Sequence, residues 1–128
     1  MRTSSTLQQE ATTSLRLHVE LIYDSGCPNV EATRDVLTLA LRATGTPAVW
    51  TEWNTGDPAC PGDRRGYGSP TILVNGEDVA PGPHPWKPRI EGGPPRCRVY
   101  TTVNGISGVP PDTAVRRAIE EALGPDVV

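Results

Sequence analysis

The chain has no phenylalanine at all, and its only large aromatics are three tryptophans and three tyrosines. A core must therefore come from Leu, Val, Ile and Ala. No apolar run approaches the ~18 residues that a membrane span needs. Basic residues are not in excess: 12 Lys and Arg face 15 Asp and Glu, for a net charge of -3. That balance offers no field for nucleic acid or an anionic membrane, so neither is expected as a partner. Residues 1–14 are rich in Thr, Ser and Gln and lack the apolar centre of a secretory signal. They read as a mobile tail on one domain of residues 15–128. There are only three cysteines, Cys27, Cys60 and Cys97. An odd number without a signal segment argues against a secreted disulfide scaffold and fits reduced cytoplasmic thiols.

Proline is abundant instead, with 14 residues, about twice the usual share. Six of them lie in residues 80–96, which have no hydrophobic period and read as a long loop, with Trp86 available to order it. Elsewhere the pattern is regular. Residues 16–24 alternate Leu17, Val19, Leu21 and Tyr23 on one face and add Ile22 on the other, as a strand does. His18 reads as a partly exposed strand residue. Residues 28–44 form an amphipathic helix whose charged stripe is Glu31, Arg34, Asp35, Thr38 and Arg42. Leu39 is counted with its broad apolar remainder, and Gly45 and Pro47 end it. Residues 48–53 read as a second strand, completing a β-α-β unit. Residues 57–67 are broken by Pro61 and Gly62, and read as a poor short helix or a loop. Ile72, Leu73 and Val74 run into Asn75-Gly76, a strong hairpin signal, with Asp78-Val79 starting the return. Residues 97–103 read as a short extended segment or edge strand, 105–108 as a turn, and 112–123 as a final helix buried through Val115, Ala118, Ile119, Ala122 and Leu123.

The chemistry centres on residues 21–30. A strand runs into Gly26, which supplies a permissive turn, then Cys27, then Pro28 at the first helical position. Cys27 is thus expected at or beside a helix N-cap. There unpaired N–H groups and the helix dipole favour thiolate and lower the thiol pKa from its usual ~8.5. Two readings of Cys27 stand: an attacking thiolate, or a small buried hydrophobe. Cys60, in a Pro/Gly-broken stretch, is expected to be exposed. A zinc site from the three cysteines and His84 lacks any Cys-x-x-Cys spacing. Two thiols with a soft metal ion are chemically closer. Ser69 and Thr71 have no hydrolase motif around them, and the glycine pairs have no phosphate-loop pattern.

Gly26-Cys27-Pro28 after a strand, Ser69-Pro70-Thr71 before another, an Asn-Gly hairpin and a closing helix, in that order, resemble the thioredoxin-like superfamily. A narrower likeness, through the GCPN, GSPTILVNG and CRVY segments, is to small uncharacterised bacterial thioredoxin-like proteins, some of whose relatives carry selenocysteine. The resemblance covers residues 16–79 and 112–123. It implies an α/β domain with a mixed four-stranded sheet and helices on both faces. It also implies a reactive Cys27, flanked by Gly26 and Pro28, facing a cis-Pro70. Ser69, Pro70 and Thr71 would bind substrate, with the Ser69 backbone pairing to a peptide or glutathione. The chain departs from thioredoxins where their second cysteine stands: the residue three beyond Cys27 is Val30. That leaves a monothiol mechanism or a distant resolving thiol, for which Cys97 and Cys60 are the only candidates, Cys97 ahead of Cys60. The implied activity is thiol–disulfide exchange on a protein or glutathione thiol or disulfide, without a cofactor or resident metal. The alternative is a non-enzymatic module that binds a soft metal or a protein.

Overall fold

Strand β1, Val19–Tyr23, touches both neighbours in the middle of the sheet. In the computed structural model, residues 17–82, 88, 90 and 92–124 are described. The expected tail at residues 1–14, the start of the first strand and residues 83–87, 89 and 91 of the Pro-rich loop, with His84 and Trp86 among them, lie outside them.

After β1 come helix α1 (Val30–Ala43) and strand β2 (Thr51–Asn54), then a 3-10 turn (Gly62–Arg64). Strands β3 (Thr71–Val74) and β4 (Glu77–Asp78) follow, then a separate hairpin of β5 (Tyr100–Thr102) and β6 (Gly105–Ser107), then helix α2 (Asp112–Leu123). The main sheet is mixed, in the order β2-β1-β3-β4. β2 is parallel to β1, while β3 runs antiparallel to it, with Leu21 opposite Ile72. The β3–β4 turn has Asn75 at φ 52 and Gly76 at φ 85. Both signs are what a two-residue hairpin of matching twist demands.

Alternation on β1 decides what lies on each face. Val19 and Leu21 join Ile72 and Val74 in a core with Leu37 and Leu41 of α1 and Val115 and Ile119 of α2. Both α-helices therefore pack on the same side, against each other as well as the sheet. The expectation of helices on both faces is corrected: among the described residues the opposite face has no α-helix. There Glu20, only 2 % exposed, accepts hydrogen bonds from Trp53 Nε1 (2.8 Å) and from Arg64 Nε and Nη2 (both 3.1 Å). The 3-10 turn that carries Arg64 takes the place of a helix, because Pro58, Pro61 and Gly62 interrupt any longer run.

The stripe on α1 is not all solvated. Arg34 reaches Glu52 on β2 with two bonds of 2.9 Å, a forked tie from helix to sheet edge. Leu39, counted with the apolar positions, is 65 % exposed. Residues 105–108, read as a turn, instead supply β6. The β5–β6 turn is Val103-Asn104, and Gly105, at φ 113, pairs with Thr102 as the first residue of β6.

Candidate functional site: two cysteines across a strand bridge

β1 ends in a tight turn, closed by Cys27 N–H donating to the Asp24 carbonyl at 3.2 Å. Gly26 sits at φ 84 in that turn, a conformation that favours glycine. Pro95 lies over it, 3.9 Å from where a β-carbon on Gly26 would stand. Cys27 follows, half-buried and unbonded to another cysteine. The helix starts later than the sequence implies: Asn29 is the N-cap and Val30 the first helical residue. Pro28 precedes the cap instead of occupying the first turn, and Cys27 is one residue further out. Gly108, after β6, packs so closely on Asn29 that a β-carbon there would stand 2.3 Å from Asn29 Nδ2.

The Ser69–Pro70 bond is cis. Ser69 and Thr71 have no exposed surface, and Pro70 is fully buried with them. This corrects the expectation of a substrate-facing loop at Ser69, Pro70 and Thr71. Thr71 Oγ1 donates to the Gly68 carbonyl (2.8 Å) and accepts from Arg98 Nη1 (3.0 Å). The Pro70 carbonyl accepts from the Tyr100 hydroxyl. Most tellingly, the Ser69 backbone is already paired. Its N–H donates to the Arg96 carbonyl and its carbonyl accepts from Arg98 N–H, both at 2.8 Å. Together these bonds form a parallel bridge between Ser69 and Cys97.

That bridge fixes the position of Cys97. An extended segment points alternate side chains to opposite sides. Arg96 and Arg98 go into the protein, and exposed Cys97 lies between them. Arg96 donates to Asp24 through its backbone N–H (2.7 Å), Nε (3.1 Å) and Nη2 (3.2 Å). Its Nη2 also reaches the carbonyls of Arg65 and Tyr67. Asp24 takes a further short bond, 2.5 Å, from Thr55 Oγ1. Arg98 bonds Asp78 Oδ2 at 2.9 Å and the Ala80 carbonyl at 3.0 Å, and its guanidinium carbon lies 4.6 Å from the Tyr100 ring centre. One buried ion pair thus fixes the chain on each side of Cys97.

The charges respond to this packing. The Cys97 thiol is held above its ordinary pKa first by partial burial, then by the nearby Cys27 thiol, then by Asp24. The two cysteine side chains are thus close enough to interact electrostatically. Burial pushes the Asp24 carboxyl up, but bonds from the Arg96 side chain, the Thr55 hydroxyl and the Arg96 backbone outweigh it and hold it low. Cys60 is away from this pair. It is 3 % exposed rather than open to solvent, and burial raises its thiol pKa. Among the described residues no three His, Cys, Asp or Glu side chains gather as a metal ion would need. No helix among them is long and apolar enough to cross a membrane.

Sequence reasoning named both cysteines but missed Asp24, Arg96 and Arg98. The local signal was a charged residue on each side of Cys97, in a segment otherwise read as an unremarkable strand. Comparison with protein-family models, with curated proteins and with solved structures finds no match to this chain.

Three carboxylates give the fold an acid limit. Asp24 is lowered from 3.8, and Glu20 and Glu52 from 4.5. For Glu20, burial opposes the shift, and Arg64 and Trp53 outweigh it. For Glu52, the bond from Arg34 is the first cause. A depressed carboxyl stabilises the native state fully above its unfolded pKa and loses that contribution as pH falls through the folded value. The denaturation midpoint is expected to be level near neutrality and to fall steeply as pH drops below about 4.5. A urea titration series over that range checks it. A flat profile would mean these pairs carry no net stability.

Proposed function

We propose that this protein is a thiol–disulfide redox protein on a thioredoxin-like scaffold, with Cys27 and Cys97 as its reversible pair. One observation supports the reading: the Ser69–Cys97 bridge, clamped by Arg96 and Arg98, fixes Cys97 where its thiol is close enough to interact with Cys27. Cysteines 70 positions apart in sequence have no local reason to meet. The mixed sheet order and the cis bond before β3 are consistent with such a scaffold.

The reaction balances simply. An oxidising disulfide accepts two electrons and two protons and leaves as two thiols. Cys27 and Cys97 supply them and join as one disulfide. In reverse, two external thiols reduce the pair and leave as their own disulfide. Cys60 takes no part, being buried with its sulfur 3.6 Å from the Pro61 carbonyl.

Oxidation with diamide followed by peptide mapping tests the proposal. A Cys27–Cys97 cross-link that dithiothreitol removes is the expected result, with Cys60 recovered as a free thiol. Oxidation that yields only intermolecular or Cys60-containing disulfides would remove the two-cysteine reading.

A further inference from the structure

The bridge that fixes Cys97 also closes one polypeptide-binding edge and opens another. Both Ser69 main-chain groups are consumed by the 96–98 segment. In a parallel bridge of this pattern, the residue opposite Ser69 turns its own N–H and carbonyl the other way. Cys97 therefore directs both groups away from the sheet, and neither has a partner among the described residues. The residue itself is exposed. Val99, next on the same side of the segment, is 71 % exposed. Cys27, by contrast, is half-buried and packed against the core, with Pro95 over the neighbouring Gly26.

We propose that the partner of this site is an extended polypeptide containing a cysteine. It pairs with the outward N–H and carbonyl of Cys97 and exchanges disulfides at Cys97 rather than at Cys27. The inference rests on the redox reading above and assigns its substrate class and its outward sulfur. Strand addition to an exposed edge gives affinity through main-chain bonds. Here the edge and the reactive atom belong to the same residue. Val99 then offers an apolar contact to the partner residue two positions from its cysteine, which lies on the same face.

In the reductive direction a partner thiolate attacks the Cys97 sulfur of the Cys27–Cys97 disulfide. The intramolecular S–S bond breaks, a Cys97–partner bond forms, and Cys27 leaves as thiolate. A second partner thiolate then attacks the partner's sulfur and frees Cys97. Two electrons pass from the two partner thiols to the protein pair.

Single-cysteine coupling separates this proposal from the redox reading, because it needs no Cys27–Cys97 bond. The probe is acetyl-Ala-Val-Cys-Val-Ala-amide, its cysteine carried as a mixed disulfide with 2-nitro-5-thiobenzoate. Reaction releases the coloured thiolate as one disulfide is exchanged for another. The same peptide N-methylated at the cysteine and the following valine cannot pair along an edge. Glutathione activated in the same way reports a small thiol. With Cys27→Ser, the peptide is expected to react about tenfold faster than its N-methylated form, the effect of two net main-chain hydrogen bonds. The adduct is expected on Cys97 by mass spectrometry. With Cys97→Ser, the two peptides are expected to react alike. Equal rates in Cys27→Ser would overturn the proposal, as would a peptide preference carried by Cys97→Ser or faster coupling of glutathione than of the peptide. If the preference holds at Cys97 while the wild-type protein forms no Cys27–Cys97 bond, the redox reading fails and the edge assignment stands.

Discussion

Asp24→Ala is expected to remove about 3–5 kcal/mol of stability and to abolish rapid Cys27–Cys97 cross-linking in the folded protein. Asp24 has no exposed surface. The hydrogen bonds it accepts include one from Thr55 Oγ1 at 2.5 Å and those from Arg96 donors at 2.7, 3.1 and 3.2 Å. Truncation leaves the Arg96 guanidinium, 10 % exposed, beside two carbonyls but without its carboxylate. Removing one member of a buried pair is costly chiefly because the other remains charged and unpaired. Against a typical stability of about 5–15 kcal/mol this is a large share. Asp24→Asn keeps the shape and one acceptor oxygen and is expected to cost roughly half as much. Urea unfolding of Asp24→Ala, Arg96→Ala and the double variant gives the coupling directly. A loss below about 1 kcal/mol for Asp24→Ala would show that the Arg96–Asp24 pair does not hold the segment. Unchanged cross-linking kinetics would show that it does not position Cys97.

Arg98→Ala is expected to have an effect of similar size, from the other side of Cys97. The Arg98 side chain is 2 % exposed and its partner Asp78 10 %. Its donors serve Asp78, Thr71 and Ala80, and its plane lies over Tyr100. Loss of the guanidinium takes from the Asp78 carboxylate its 2.9 Å ion pair with Arg98 and removes a packed cation–ring contact, together about 3–5 kcal/mol. Arg98→Lys retains charge but cannot bond Asp78, Thr71 and Ala80 as the planar fork does. It is expected to recover less than half of the loss, with slowed cross-linking. Because Asp24 and Asp78 are separate anchors on one strand, the two variants are expected to be less than additive in cross-linking rate: either one frees Cys97. Additive, independent effects on that rate would mean that the bridge to Ser69 holds the cysteine without the arginines.

The acid limit belongs with these variants. In Asp24→Asn one depressed carboxyl is gone, so stability at neutral pH falls while its slope below about pH 4.5 becomes shallower. The neutral-pH loss and the lost slope report the same ion pair by two routes.

Much of the architecture was legible because it is locally encoded. The alternation of Val19, Leu21 and Tyr23, the helical period from Val30 to Ala43, the Asn75-Gly76 turn and the bounds of Asp112–Leu123 each follow from spacing and backbone preference. The absence of Phe foretold an aliphatic core, which Leu21, Leu37, Leu41, Ile72 and Ile119 supply. Gly26-Cys27-Pro28 marked the turn, although the helix starts later than Pro28 suggested.

Tertiary structure alone decided the rest, for reasons of distance along the chain. Nothing near Glu20 announces that Arg64 and Trp53 will bury it, and nothing near Leu39 says that its face stays open. That both helices share one face depends on where α2 docks against α1, which neither periodicity contains. Above all, the Ser69 backbone is occupied because a segment 28 residues later returns to it, held by Asp24 and Asp78 from two other parts of the chain. Local patterns assign a residue its backbone shape and its inward or outward side. Only the assembled sheet determines which of its polar groups are already satisfied, and so which edge is left for a partner.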